Sequence, residues 1–320
     1  METSKVLVTG GLGLIGSEIV KIALSNGDEV TCTDDLSLTQ VISEEQLLKT
    51  LPQDVNFIKI GTDSSKFADA LSAKKFDKIF NFGSYSTDRY FEIDPIDAVN
   101  KTINGMINVV KLYDTSGAHS LIYPSSGTVY GNSPPPQIEN QKLQPQTLYS
   151  ITKIFLEQYS SILHRNITGV RIFTGFGPRE VLKGTYSSVV TLFTMAALKG
   201  VPVEIYGDGE QKRDFVSSDD IAKVIYRLSK SQPVVPIVNL GSGKSYSFND
   251  LIKIIEQETG LTINSKYVES KTRFVSETRA DTELLKVSCG FLPRSLKDAF
   301  PTYLEGLKEL ISSYKLGSRH

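Results

Sequence analysis

Tyr149 and Lys153 stand four residues apart in "LYSITKIFLEQ", residues 148–158, a spacing that puts both side chains on one face of a helix. A free phenol titrates near pH 10, so ionising it at pH 7 costs on the order of 4 kcal/mol. An ammonium held about 4 Å away supplies roughly that much at an effective dielectric near 20. The pair is therefore chemically sufficient for a general base. A lone Y-x-x-x-K also arises by chance on solvated helices, so a second element has to carry the reading. That element is "YPSSGTVYG", residues 123–131. Its Ser126 offers a hydroxyl that can donate to a substrate oxygen while Tyr149 takes or gives the proton.

A third element binds rather than reacts. "TGGLGLIG" (9–16) follows the strand-like "KVLVT" and opens a helical stretch. It reads as Gly11-x-Gly13-x-x-Gly16 or as Gly10-x-x-Gly13-x-x-Gly16, glycines that let the backbone approach a pyrophosphate at a helix N-terminus. Asp34 ends the next strand, 18 residues after Gly16, close to the spacing of a ribose-binding acid. A carboxylate there accepts from a free 2′-hydroxyl and repels a 2′-phosphate, so the cofactor reads as NAD rather than NADP.

Positioning these groups requires alternating strands and helices. The segments 5–9, 29–33, 56–60, 78–82, 120–124 and 167–173 are short, apolar and β-branched, as expected of strands covered on both faces. Between them, "LIGSEIVKIALSNG" and "PIDAVNKTINGMINVVKLYDTSG" show helical spacing and end at glycine. That alternation predicts an α/β fold with a Rossmann-type, doubly wound parallel sheet. After about Gly175 the chain becomes loop-rich. The expected organisation is a dinucleotide-binding domain over 1–174, with segments around 207–242 returning to it. A smaller, partly interleaved substrate domain covers 175–316. The closing "GSRH" (317–320) reads as a remnant of cloning.

Composition narrows the function classes. The 320 residues carry a formal net charge of −1, with 40% hydrophobic and 22% charged side chains, so no basic field recruits nucleic acid or anionic membrane. No apolar run approaches the roughly 18 residues of a membrane span. Cys32 and Cys289 fit a reducing compartment, and His119, His164 and His320 have no metal-like spacing, so no metal is expected. The setting predicted is the cytoplasm.

Together, "TGGLGLIG", "SSGTVYG", "YSITK" and "YGDGEQKRDF" resemble, in order and over nearly the whole chain, the extended short-chain dehydrogenase/reductase family. Within it, the likeness is to the NAD-dependent sugar-nucleotide epimerases and dehydratases, of the UDP-glucose 4-epimerase kind. The resemblance implies a triad in which Tyr149 is the base, Lys153 binds the nicotinamide ribose and lowers the tyrosine's pKa, and Ser126 orients the sugar hydroxyl. It implies cofactor contacts at Gly10, Gly13, Leu14, Ile15, Gly16, Asp34, Asp35, Asp63, Ser64, Phe82 and Gly83, besides Tyr149 and Lys153. Substrate contacts are implied at Ser125, Ser126, Thr128, Thr174, Arg213 and Arg273, with Lys271 an alternative to Arg273. A homodimer built on helices around 103–116 and 149–163 follows from the same likeness.

The reaction is read from two positions. Family 4,6-dehydratases carry an acidic pair after the triad hydroxyl, where this chain has Gly127 and Thr128. The resemblance thus implies 4-epimerisation of a nucleotide-diphosphate sugar, with hydride moving to tightly bound NAD, a transient keto-sugar, and hydride return to the other face. Alternatives are a nucleotide-sugar dehydrogenase with net redox turnover, a non-catalytic dinucleotide sensor, and a 4-epimerase of the UDP-glucuronate type. Thr174, where many relatives have asparagine, is similar to the uronate enzymes. No arginine obviously matches their carboxylate clamp, although Arg179 and Lys183 are nearby.

Overall fold

A computed structural model describes residues 3–37, 41–232, 234–269, 275–314 and 316. The strands are β1 (Lys5–Thr9), β2 (Glu29–Asp34), β3 (Asn56–Lys59), β4 (Lys78–Asn81), β5 (Ser120–Ser126), β6 (Ile167–Ile172), β7 (Thr174–Phe176), β8 (Val203–Tyr206), β9 (Lys212–Ser217), β10 (Ile237–Leu240), β11 (Ser245–Ser247) and β12 (Ser265–Val268). Helices α1 (Leu14–Ser25), α2 (Glu44–Leu48), α3 (Phe67–Leu71), α4 (Asp88–Ile93), α5 (Pro95–Ser116) and α6 (Leu148–Ile162) come from the first half of the chain. The second half adds α7 (Val189–Lys199), α8 (Ser218–Leu228), α9 (Phe248–Thr259), α10 (Glu283–Cys289) and α11 (Leu296–Tyr314).

Seven strands form one parallel sheet in the order β10-β6-β5-β4-β1-β2-β3. The strand order reverses between β1 and β4, and a ligand crevice is expected outside the carboxyl ends of the strands at that point. The period-2 alternation of β1 explains why both faces are covered. Val6 and Val8 pack with Ile19, Phe80 and Val216 on one side, and Leu7 packs with Ile79, Met106 and Val109 on the other. A smaller sheet, β11-β9-β7, and the β12-β8 pair accompany a third core around Phe193, Phe215, Leu251 and Phe300. The late strand β10 pairs with β6 in the large sheet, and α8 packs on α1.

The helices that carry the chemistry are set by their ends. Asp94 caps α5, accepting from the Asp97 N–H at 3.0 Å, Pro95 occupies the first turn, and Gly117 ends the helix at φ +89°. A reciprocal capping box opens α6: the Ser150 N–H donates to Thr147 Oγ1 at 3.2 Å, and the Thr147 N–H donates to Ser150 Oγ at 3.1 Å. Tyr149 is thereby fixed in the first turn, with Lys153 one turn further. Among the described residues no single helix is long and apolar enough to cross a membrane. No group of three or more His, Cys, Asp or Glu side chains among them is placed to hold a metal ion.

Candidate active site

A cleft of about 370 Å³ opens at the carboxyl edge of the large sheet, where the β1–α1 loop, the ends of β4 and β5, α6 and the 3-10 segment Pro178–Tyr186 meet. Its floor is the glycine loop. Gly10 sits at φ +62°, and a Cβ there would lie 2.4 Å from the Phe82 carbonyl oxygen. At Gly16 a Cβ would lie 2.1 Å from the Gly10 carbonyl oxygen. Gly13 caps α1 without a side chain, which leaves the first N–H groups of the helix open to an anion.

Beside this loop stands Arg179, buried, with Nη2 donating to the Leu12 carbonyl at 2.8 Å. Its buried Nε has no hydrogen-bond partner among the described residues, and burial pushes the guanidinium below its ordinary pKa. A guanidinium with an unsatisfied N–H beside a bare helix N-terminus fits the diphosphate of a dinucleotide. At the end of β2, Asp34 accepts from the Leu12 N–H at 3.0 Å and the Leu36 N–H at 2.9 Å. Burial raises its pKa, and those bonds oppose the rise. Burial also pushes Asp35 upward, but Lys101, 2.7 Å away, and Ser37 outweigh it and hold this carboxyl below its usual range. The residues present therefore fit NAD.

At the other end, Ser126, Tyr149 and Lys153 line the same cleft. Ser126 Oγ accepts from the Thr128 N–H at 3.2 Å and from Thr128 Oγ1 at 3.0 Å. With both lone pairs engaged, its own hydrogen can only be donated, and the Ser126 hydroxyl acts to lower the Tyr149 pKa. Lys153 is buried, with Nζ 5.3 Å from the centre of the Tyr149 ring. It has no hydrogen-bond or ion-pair partner among the described residues, and burial lowers its pKa to about 8.

The expected lowering of Tyr149 by Lys153 is not found. Burial raises the phenol well above its ordinary value, the Ser126 hydrogen bond opposes this, and the Asp88 carboxylate adds to it. Near-complete burial removes the water that would stabilise a phenolate, and this outweighs the rest. Drawing the proton off requires a further positive charge in the cleft.

Of the residues expected to touch cofactor, Gly10, Gly13, Leu14, Ile15, Gly16, Asp34, Asp35, Phe82 and Gly83 line the cleft. Asp63 and Ser64 are not in its lining: they form the turn after β3, where the Ser64 carbonyl accepts from Asn108. Ser125 and Thr128 are in the lining, but their hydroxyls are committed, Ser125 to the Glu157 carboxylate and Thr128 to Ser126. Glu157 in turn takes Arg171 Nε at 2.9 Å and Nη2 at 2.7 Å, a buried brace tying α6 to β5 and β6. Thr174 is not in the lining, although its neighbours Phe173 and Gly175 are; it starts β7 and pairs with Phe215 of β9. Arg213 also lies outside it, with Nη1 held by the carbonyls of Lys212 at 2.7 Å and Val275 at 2.9 Å. Arg273 and Lys271 lie outside the described residues.

The polarity of Ser126 yields a prediction. Thr128→Val keeps the volume but removes one of the two donors that orient the serine hydrogen. Losing one neutral hydrogen bond of about 1 kcal/mol should lower kcat roughly three- to tenfold with KM little changed, and Thr128→Ser should restore the rate. Steady-state kinetics on the three proteins checks it.

Comparison with known proteins supplies the frame for this geometry. A family model described as the NAD dependent epimerase/dehydratase family matches residues 6–241. The chain is 27% identical to a UDP-glucuronate 4-epimerase of Thermodesulfobacterium geofontis, over 97% of this chain and 98% of that one. It is 26% identical to a UDP-glucose 4-epimerase of Mycolicibacterium smegmatis, over 91% and 94%. Its fold matches the solved UDP-N-acetylglucosamine 4-epimerase of Methanobrevibacter ruminantium M1, in complex with UDP-N-acetylmuramic acid, with a TM-score of 0.87 at 29% identity, over 98% of this chain and 100% of that one.

Proposed function

The chain belongs to the NAD dependent epimerase/dehydratase family, and from that premise we propose that it interconverts nucleotide-diphosphate sugars epimeric at C4 through a transient keto-sugar. The observation that carries this reading is the meeting of Ser126, Tyr149 and Lys153 with the glycine loop in one cleft. After Ser126 stand Gly127 and Thr128, so the position used for elimination in dehydratases holds no acid. Relatives named as UDP-sugar 4-epimerases support the same class and suggest uridine as the nucleoside.

Each group has a task. The bare N-terminus of α1 and Arg179 would hold the cofactor diphosphate, and Asp34 would accept from its adenosine ribose. Bound NAD supplies the acceptor, and then the donor, of the hydride. Ser126 gives its hydrogen to the sugar oxygen at C4, fixing that oxygen beside Tyr149. Tyr149 removes the hydroxyl proton as the oxygen becomes a carbonyl, and returns it after the sugar has turned its other face. Lys153, with no other partner among the described residues, would hydrogen-bond the nicotinamide ribose and would place positive charge near the phenol. Because one cofactor serves both half-reactions, it should stay bound through the cycle.

The test uses protein purified without added cofactor. Denaturation should release NAD, and incubation with UDP-hexoses should give a 4-epimer with no absorbance growing at 340 nm. Stoichiometric growth of that absorbance with a keto-sugar product would instead make this a net dehydrogenase.

We also infer a homodimer across α5 and α6. Leu148, Ile151, Phe155 and Ile162 leave an exposed apolar stripe on α6, and Ile96 is exposed at the start of α5. That face supports helix packing against a second copy. Phe155→Glu should shift sedimentation from dimer to monomer. Monomeric wild-type protein at micromolar concentration would contradict the inference.

A further inference from the structure

We infer that Asp88 makes the sugar end of the cleft selective for a hexose presenting hydroxyl or amine donors there, and against one that carries a carboxylate. The inference rests on the cleft being a nucleotide-sugar site and goes on to name the class of sugar it takes.

Asp88 opens α4 behind its cap, Thr87, and lines the cleft. Its Oδ1 accepts from Oγ1 of Thr147, the residue that caps α6 two places before Tyr149. The same two helices meet where Phe91 packs edge-on against the Tyr149 ring, with centroids 5.4 Å apart. Asp88 and Tyr149 both line the cleft where these two helices meet, so carboxylate and phenol belong to the same end of it. Thr147 occupies one of roughly four acceptor sites on the carboxylate, leaving the others for donors on a ligand.

Burial raises the Asp88 pKa and the Thr147 hydrogen bond opposes the rise, and no cation among the described residues pairs with the carboxylate. Four cationic side chains line the cleft, and each is engaged or set apart. Lys101 is paired with Asp35 at 2.7 Å, and Lys183 lies 3.8 Å from Glu180. Arg179 is held on the glycine loop, and Lys153 is buried beneath Tyr149. None forms an ion pair with Asp88 among the described residues.

The chemistry of the sugar completes the argument. In a uronate the carboxyl carbon is two bonds from C4. A pose that brings the 4-oxygen to Tyr149 with C5 on the Asp88 side sets that carboxylate toward Asp88. Turning the sugar exchanges the C3 and C5 sides of C4, so the repulsion falls on the pose that sets C5 beside Asp88, and one of the two poses needed for 4-epimerisation is penalised. Two carboxylates in a water-poor cleft repel strongly. A hydroxymethyl, hydroxyl or amine there instead donates to Asp88, and sites built to pair a donor discriminate sharply against analogues lacking it.

The experiment measures binding, so turnover does not complicate it. NAD-loaded Tyr149→Phe protein is titrated calorimetrically with UDP, UDP-glucose, UDP-N-acetylglucosamine and UDP-glucuronate, and the titrations are repeated with Tyr149→Phe/Asp88→Asn. The expected result is that at least one neutral sugar binds a hundredfold or more tighter than the uronate. Asp88→Asn should narrow that gap at least tenfold while leaving UDP affinity unchanged. Asparagine keeps the volume and the acceptor for Thr147, and unchanged UDP binding reports an intact cleft. A uronate that binds wild-type Asp88 protein as tightly as the neutral sugars, or a gap that Asp88→Asn leaves unaltered, would overturn the inference while leaving the epimerase reading standing. If neither UDP nor any of the UDP-sugars binds, the nucleotide-sugar reading fails, and the inference fails with it.

Discussion

Tyr149→Phe should lower kcat by about 10³-fold, within the range for removing a general acid–base group, while leaving the fold and the bound NAD in place. The side chain is buried against Phe91, so phenylalanine fills the same space and loses only the hydroxyl. The pH profile separates this from a packing effect. Burial raises the Tyr149 pKa above its ordinary value, and a base whose pKa lies above the working pH acts through its minor, ionised form. The wild-type rate should therefore rise with pH across the neutral range, and Tyr149→Phe should lose that rising limb. Stopped assays from pH 6 to 9, with NAD content measured in parallel, check both points. A variant that keeps the limb would assign the base elsewhere.

Gly16→Ala should abolish cofactor retention. The new methyl would lie 2.1 Å from the Gly10 carbonyl oxygen, 2.8 Å from its carbon and 2.9 Å from the Gly11 Cα. All three are backbone atoms of the loop that the cofactor diphosphate must approach, so none can swing aside as a flexible side chain would. The loop has to open, and the N–H groups at the start of α1 lose their common aim. Protein purified without added cofactor should carry less than about a tenth of the wild-type NAD, and calorimetric affinity should fall at least a hundredfold. Overpacking of this kind costs about 1–3 kcal/mol, so melting should move by only a few degrees. Full NAD content in a folded Gly16→Ala protein would show that the glycines serve packing alone.

What was legible in the sequence was what local chemistry decides. The strand at Lys5–Thr9, the glycines after it and Asp34 lie within one βαβ unit, so their spacing carried both the fold and the cofactor end of the cleft. Tyr149 and Lys153 were legible because one helix turn separates them. Contacts between distant segments were not. Arg179 meets the Leu12 carbonyl across 167 residues, and the Asp88–Thr147 contact spans 59; no local pattern announces either. Arg213 read as a phosphate ligand from its motif, yet β9 places its guanidinium on the Val275 carbonyl. Thr174 was expected at the sugar, but it begins the strand that departs from the large sheet. The spacing of Tyr149 and Lys153 carries no information on burial, which raises the phenol's pKa.

The central claim is that hydride leaves C4 and returns to C4 within one bound complex. The most direct test is turnover of a UDP-hexose labelled with deuterium at C4, in ordinary water, with the product epimer read by NMR. Retention of the label at C4 in the new epimer, with no exchange between differently labelled substrate molecules, is the predicted result. Loss of deuterium to solvent would contradict the account, since it requires a proton rather than a hydride to be removed from C4.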